Sequence, residues 1–267
     1  MSKYQPLWNY INDMDKVELT LSFKEIENVL GFSLDHSFLT YKKELLPRGF
    51  EVYKISMKLQ TVIFKKIKKD KLVVYVHGKG GNASEAERYK NLFLGCVVLG
   101  LDYKSQTPWD AEKEFLKLFG KLSRGYESVI LVANSIGAYF SMNAFKNEKI
   151  DRAFFISPVV DMENLILNMM RAVNVTEKEL EERKTIETPF GETLSWEYLS
   201  FVRNNPISWN VPTYVLYGEN DNLTDKKTIT EFCKNFKAGL TVMEDGEHWF
   251  HTEEQLSFLD KWITENL

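Results

Sequence analysis

From Leu72 onward, short apolar runs alternate with longer stretches in which apolar residues recur every three or four positions. KLVVYVHG, CVVLGLDY, SVILVAN, RAFFISP, TYVLYG and LTVME read as strands, and AERYKNLF, PWDAEKEFLKLFGKL, GAYFSMNAFK, KKTITEFCKNF and EEQLSFLDKWITENL as helices. Strands this uniformly apolar are buried on both faces, which calls for a mostly parallel sheet covered by helices on either side. The pattern predicts a doubly wound α/β domain. Between FFISP and VPTYVLYG it lapses for roughly fifty residues, too many for a plain connection. A small helical insertion is therefore expected at residues 162–210, over one end of the sheet.

Before Leu72 the periodicity changes. LSFKEIENVLGF predicts a helix with Ser22 as its N-cap, Glu25 completing a capping box and Gly31 stopping it. FEVYKIS and QTVIFKKI alternate with period two and predict a hairpin. Those strands either finish an N-terminal module or open the main sheet, so the boundary falls between Pro47 and Leu72. We set a small accessory α+β module at residues 1–50 and the main domain at 51–267.

Composition narrows the partners. The chain has 267 residues, 44% of them hydrophobic, enough for one sizeable core and a small second module. No apolar run approaches the roughly 20 residues of a membrane helix, and MSKYQPLWNYINDMDK lacks the apolar centre of a signal peptide. A cytoplasmic location away from membranes is expected. The net charge of −4 gives no reason to expect nucleic acid. Residues 1–71 carry 13 basic against 9 acidic side chains, much of the excess in KKIKKDK at 65–71, which reads as a solvated strand end and turn. Cys96 and Cys233 read as reduced thiols without metal-ligand spacing, and GKGGNAS lacks the ending of a phosphate-binding loop. We expect no metal and no cofactor. Oligomeric state is not legible.

In a parallel α/β sheet, ligands collect at the carboxyl ends of the strands. Four strand ends are unusual here: HGKGG at 77–81 follows VVYV, Asn134-Ser135-Ile136-Gly137 follows VILVA, Asp221 follows YVLYG, and His248 follows LTVMEDGE. Each residue has a plain structural explanation. Ser135 can cap the following helix, Asp221 can cap the helix that begins near Thr224, and His248 can be a satisfied core histidine. Together they also supply what a serine nucleophile requires: a base to take its proton, and a carboxylate to hold that base in the right tautomer. Asp161 is the runner-up acid and Asp225 a weaker third. His251 is the alternative base, His77 orders its glycine loop, and His36 belongs to the N-terminal module.

These segments resemble the α/β-hydrolase family over residues 72–267: YVHGKGG its HG-type oxyanion loop, ANSIGA its nucleophile elbow, LYGENDNL its acid loop and DGEHWF its histidine loop. Ala133 departs from the first glycine of the elbow pattern, and alanine is the next smallest residue. The resemblance implies Ser135 as nucleophile, His248 as base, Asp221 as its orienter, and the backbone N–H groups of Lys79 and Ile136 as oxyanion donors. It implies a serine hydrolase of carboxylesterase type acting on a small-molecule ester. A thioesterase, lactonase or amidase would use the same residues, and an idle scaffold binding a ligand or partner is the rival from another class. The insertion, read as a lid, offers Leu165, Ile166, Met169, Met170, Trp196, Tyr198 and Phe201. Of these Met169, Met170 and Trp196, with Trp249, are the candidate substrate-binding residues for small to medium apolar acyl groups. The opening SKYQPL resembles the start of a small uncharacterised bacterial module that carries no known chemistry; a paired tryptophan stretch expected near residue 41 is missing.

Overall fold

The hairpin that a boundary at residue 50 gives to the main domain pairs instead with an N-terminal strand. In the computed structural model, which describes residues 2–14, 16–66 and 69–267, β3 (Thr61–Lys66) lies between β1 (Glu18–Ser22) and β2 (Phe50–Ser56), antiparallel to both. The alternation explains the pairing: Leu19 and Leu21 of β1, Val62 and Phe64 of β3 and Phe50 of β2 all enter one apolar core with Tyr4, Trp8 and Ile26. The chain accordingly divides into Met1–Lys69 and Asp70–Leu267. Residues 51–69, which the boundary at 50 assigned to the main domain, belong to the first unit.

Three α-helices, α1 (Gln5–Met14), α2 (Phe23–Leu30) and the single turn α3 (Phe38–Tyr41), and a 3-10 helix at Lys42–Arg48 complete the described part of that unit. Ser22 and Glu25 cap α2 reciprocally, and Gly31 ends it at φ 78°. Of the basic run 65–71, Lys65 pairs with Glu18 at 3.2 Å and lies over the Tyr53 ring, while Ile67 and Lys68 fall outside the described residues.

The second unit is built on a six-stranded sheet made of β4 (Lys69–Val76), β5 (Val97–Gly100), β6 (Tyr126–Asn134), β7 (Arg152–Ile156), β10 (Thr213–Gly218) and β11 (Gly239–Met243), in the spatial order β11-β10-β7-β6-β4-β5. The sheet is mostly parallel, with β4/β5, β6/β7, β7/β10 and β10/β11 all running the same way. Period-two alternation splits its residues between two apolar layers. Along β4, Leu72, Val74 and Val76 join one with α4 (Pro108–Leu122), α5 (Ile136–Ala144) and α9 (Lys226–Phe236), while Val73 and Tyr75 join the other with α10 (Glu253–Glu265). This is the doubly wound α/β class that the apolar runs predict. From β4 the chain moves outward to β5, then returns to place β6 on the other side of β4. The carboxyl ends of β4 and β6 therefore flank the topological switch point, where ligands gather in such sheets.

Between β7 and β10 the chain forms α6 (Met162–Ala172), α7 (Glu177–Arg183), a hairpin of β8 (Thr185–Glu187) and β9 (Thr193–Ser195), and α8 (Trp196–Asn204). The expectation of a purely helical insertion misses that hairpin. Arg203 of α8 binds Glu163 of α6 at 2.6 Å and Glu177 of α7 at 2.7 and 2.9 Å, joining the three helices. Among the described residues no helix is long and apolar enough to cross a membrane.

Candidate active site

Ser135 stands between the last residue of β6 and the first of α5 with φ 51° and ψ −123°, a conformation that costs a non-glycine residue roughly 1–3 kcal/mol. The end of β7 and the loop after it hold it there: Ser135 donates its N–H to the Ile156 carbonyl at 3.0 Å, and its own carbonyl accepts from Val159 at 3.1 Å. Gly137 is required by close approach, since a Cβ there would lie 2.3 Å from the His77 carbonyl oxygen and 2.9 Å from that of Val76. Ala133 is fully buried behind the turn, so small size suffices at the position where it departs from glycine.

The Ser135 hydroxyl does not cap α5. It lies 2.9 Å from His248 Nε2, and His248 Nδ1 lies 2.7 Å from Asp221 Oδ2. The Asp221 carboxylate is fully buried and His248 is 14% exposed. Asp221 Oδ1 accepts the backbone N–H groups of Leu223 at 2.8 Å and Thr224 at 3.0 Å. One carboxylate oxygen thus builds the loop and the other faces the imidazole. A carboxylate only accepts, so this network places the ring proton on Nδ1 and leaves the Nε2 lone pair toward the serine hydroxyl. The two loops meet through backbone: Asn220 donates to the Gly246 carbonyl at 2.7 Å, and a Cβ on Gly218 would sit 2.5 Å from the Glu247 carbonyl.

The competing residues are engaged elsewhere. Asp161 is exposed and caps α6 through the Asn164 N–H at 2.9 Å. Asp225 caps α9 through Thr228 at 2.8 Å, a backbone hydrogen bond that holds its carboxyl below the usual range. His251 stacks on Trp249 and places Nδ1 2.7 Å from that residue's carbonyl. His77 stacks on Tyr103 with ring centroids 4.2 Å apart and sets Nδ1 2.8 Å from the Gly78 carbonyl. His36 is exposed in the N-terminal unit.

The glycine loop runs beside the serine, for a Cβ on Gly78 would lie 3.1 Å from Ser135 Cβ and 3.8 Å from its Oγ. Lys79 follows directly, and the Ile136 N–H, at the first position of α5, has no intrahelical acceptor. The Lys79 ammonium binds both carboxylate oxygens of Glu192 at 2.5 Å, tying this loop to the turn between β8 and β9. Of the candidate substrate-binding residues, Met170 is sealed in the core, Met169 and Trp196 are half-buried against it, and Trp249 is 68% exposed. No group of His, Cys, Asp and Glu that would hold a metal occurs among the described residues.

Two tyrosines escaped sequence reasoning, Tyr103 just past β5 and Tyr139 one turn into α5, whereas Tyr198 on α8 is among the lid side chains that the sequence offers. Only Tyr103 had a signal, its place after a strand. Its hydroxyl donates to the His77 carbonyl at 2.8 Å.

No protein-family model and no curated protein sequence matches the chain. Its structure is similar to Est1E from Butyrivibrio proteoclasticus, with a TM-score of 0.60 at 14% identity over 74% of this chain and 87% of that one. The ferulic acid complex of Est1E aligns with a TM-score of 0.59 at 15% identity, over 74% and 88% of the two chains. Alpha/beta hydrolase domain-containing protein 10 from mouse aligns with a TM-score of 0.58 at 15% identity, over 81% and 92%.

Proposed function

We propose that this chain, which has the α/β-hydrolase fold, is a serine hydrolase that cleaves carboxylic esters through an acyl-enzyme on Ser135. The observation that carries the reading is the line from Ser135 Oγ through His248 to Asp221, with the serine held in a strained conformation and its hydroxyl excused from capping. A merely structural serine at a helix start would use that hydroxyl on the helix.

In the proposed reaction His248 Nε2 takes the hydroxyl proton as Ser135 Oγ attacks the ester carbonyl carbon, and the buried Asp221 carboxylate stabilises the imidazolium that results. The N–H groups of Lys79 and Ile136 receive the oxyanion, where loss of one such donor typically costs 10²- to 10³-fold in rate. Collapse breaks the bond to the alcohol oxygen, which leaves with the proton from Nε2. Water then gives a proton to the same nitrogen, its oxygen attacks the acyl-enzyme, and the acid departs as Ser135 recovers its hydrogen.

We read residues 162–210 as a lid. The Lys79–Glu192 ion pair supports this, because it joins the insertion to the loop that supplies an oxyanion donor. Met169 and Trp196, backed by the buried Met170, would then shape an apolar pocket for uncharged esters of short or medium acyl chain, with the exposed Trp249 beside His248 at its rim. The structure of Est1E with ferulic acid bound places an aryl carboxylic acid on a protein of the same fold.

A fluorophosphonate probe followed by intact-mass and peptide analysis tests the nucleophile, alongside ester, thioester and amide substrates with Ser135→Ala as blank. We expect one adduct, on Ser135, and ester hydrolysis abolished in the variant. A folded protein that takes no adduct at neutral pH would instead be an idle scaffold.

A further inference from the structure

Buried hydroxyl groups almost always find a hydrogen-bond partner, and each that does not demands an explanation. Among the described residues, the phenolic oxygens of Tyr139 and Tyr198 are buried with no partner. They come from different parts of the second unit, α5 just beyond Ser135 and α8 in the insertion, yet both pack into the same apolar layer. The Phe140 ring stands 6.1 Å from that of Tyr139 and 6.2 Å from that of Tyr103, and Tyr198 packs edge-on against Trp109 at 5.8 Å. Tyr198 lies within electrostatic range of both Tyr139 and Tyr103. Asn143 comes near the Tyr139 phenol, but its NH₂ donates to the Tyr139 carbonyl at 2.8 Å and the phenolic oxygen makes no hydrogen bond. The cluster reaches the reaction centre through Tyr103, whose hydroxyl holds the His77 carbonyl next to the glycine that touches Ser135.

The chemistry of the cluster selects its guest. Tyr139 and Tyr198 each have an O–H to give. Tyr103 has committed its hydrogen to His77 and retains only acceptor capacity. Two donors and one acceptor complement a hydroxyl group, which accepts twice and donates once. Burial raises the titration of all three phenols, so they stay neutral donors at any physiological pH. The charge that acts on Tyr139 is the negative one of Asp161, which disfavours a carboxylate guest.

We propose that Tyr139 and Tyr198, together with the phenolic oxygen of Tyr103, form a subsite for a neutral hydroxyl group on the substrate, so that the preferred esters are otherwise apolar but hydroxylated. The proposal rests on the ester-hydrolase reading above. Tyr139 and Tyr198 are specificity residues in it, because a site built to bond a hydroxyl leaves buried groups unpaired when an analogue lacks it.

The test uses matched ester pairs that differ by one hydroxyl, placed in the acyl part in one series and in the alcohol part in the other. The readout is the ratio of kcat/KM within each pair for the full-length wild type, Tyr198→Phe and Tyr139→Phe. We expect the wild type to favour the hydroxylated member at least about tenfold in one series, and each variant to bring that ratio toward unity through KM. A wild-type ratio of one in both series overturns the proposal without reference to any variant. A preference that survives in Tyr198→Phe overturns it even if Tyr139→Phe fails to fold. Phenylalanine variants with raised thermal stability and an unchanged ratio would mean that the hydroxyls are merely unsatisfied and bind nothing, and the subsite is lost. Absence of turnover on every ester together with absence of a Ser135 adduct removes the hydrolase reading itself, whereas labelling and turnover without hydroxyl preference remove the subsite alone.

Discussion

Replacing Asp221 by asparagine probes the site with least disturbance, because the geometry dictates how the new amide must sit. Oδ1 accepts two backbone N–H groups, at 2.8 and 3.0 Å, and only an oxygen can fill that place. The asparagine carbonyl is therefore fixed toward Leu223 and Thr224, and its NH₂ takes the position of Oδ2, 2.7 Å from His248 Nδ1. That NH₂ donates, so Nδ1 must become the acceptor and the ring proton moves to Nε2. There it faces the Ser135 hydroxyl and cannot receive its proton. Loss of the correct tautomer in this type of triad costs about 10⁴-fold in kcat, or about 5.5 kcal/mol of transition-state stabilisation. Because both loop hydrogen bonds survive, the thermal midpoint should move little. The assay is steady-state hydrolysis of a small activated ester with thermal denaturation of the same preparation. Asp161→Asn is the control: Asp161 caps α6 through one carbonyl-like oxygen, and asparagine caps as well as aspartate does. It should leave kcat almost untouched. A loss smaller than tenfold in Asp221→Asn, or a larger one in Asp161→Asn, would refute the assignment of the acid.

Gly137→Ala places a Cβ 2.3 Å from a backbone oxygen that cannot swing aside, so the elbow must shift; we expect a loss of about 1–3 kcal/mol in stability with at least a tenfold fall in kcat, and retention of both would show slack in the turn. Burial pushes the Cys233 thiol up to about 11 from an ordinary value of 9.0; a raised folded pKa means its stabilising contribution is complete below that ordinary value and disappears as pH climbs toward the raised one. Alkylation at mildly alkaline pH should therefore spare Cys233 until the protein unfolds, and labelling as fast as that of half-buried Cys96 would contradict this. Removing residues 1–69 leaves the six-stranded sheet and every candidate site residue, and turnover by the fragment should resemble that of the full chain. Cutting at Pro47 strips β1 from β3, exposes Val62 and Phe64 and should aggregate. A monodisperse but inactive 70–267 fragment would show that the first unit is more than accessory.

The main sheet was legible because its strands are buried on both faces, and a run such as Leu72–Val76 has few other ways to hide five apolar side chains. The β2–β3 hairpin was legible as an element but not as a member of either unit. Alternation says that one face of a strand is buried and is silent about what covers it; here the cover is β1 and α1, which end 28 and 36 positions before β2 begins. The β8–β9 hairpin left no trace at all. TIE and TLS are three residues each, too short for any period to register, and their pairing is set by the turn at 188–192, in which the Thr188 N–H donates to the Glu192 carbonyl and its hydroxyl oxygen accepts from the Glu192 N–H.

The same distinction separates what was readable at the site from what was not. Ser135, Asp221 and His248 each follow a strand, and a parallel sheet delivers all its carboxyl ends to one edge, so strand-end position in sequence already implies proximity in space. The topology does the gathering, and the geometry of 2.9 and 2.7 Å contacts then follows from loops pressed together at Gly218 and Gly246. Tyr139 and Tyr198 had no such guide. Both sit on helices among apolar neighbours, where the ring accounts for a tyrosine's place and its hydroxyl goes unread. A polar atom on a largely apolar side chain is invisible to periodicity. It becomes conspicuous only in three dimensions, when burial has removed its water and no partner has been supplied in exchange.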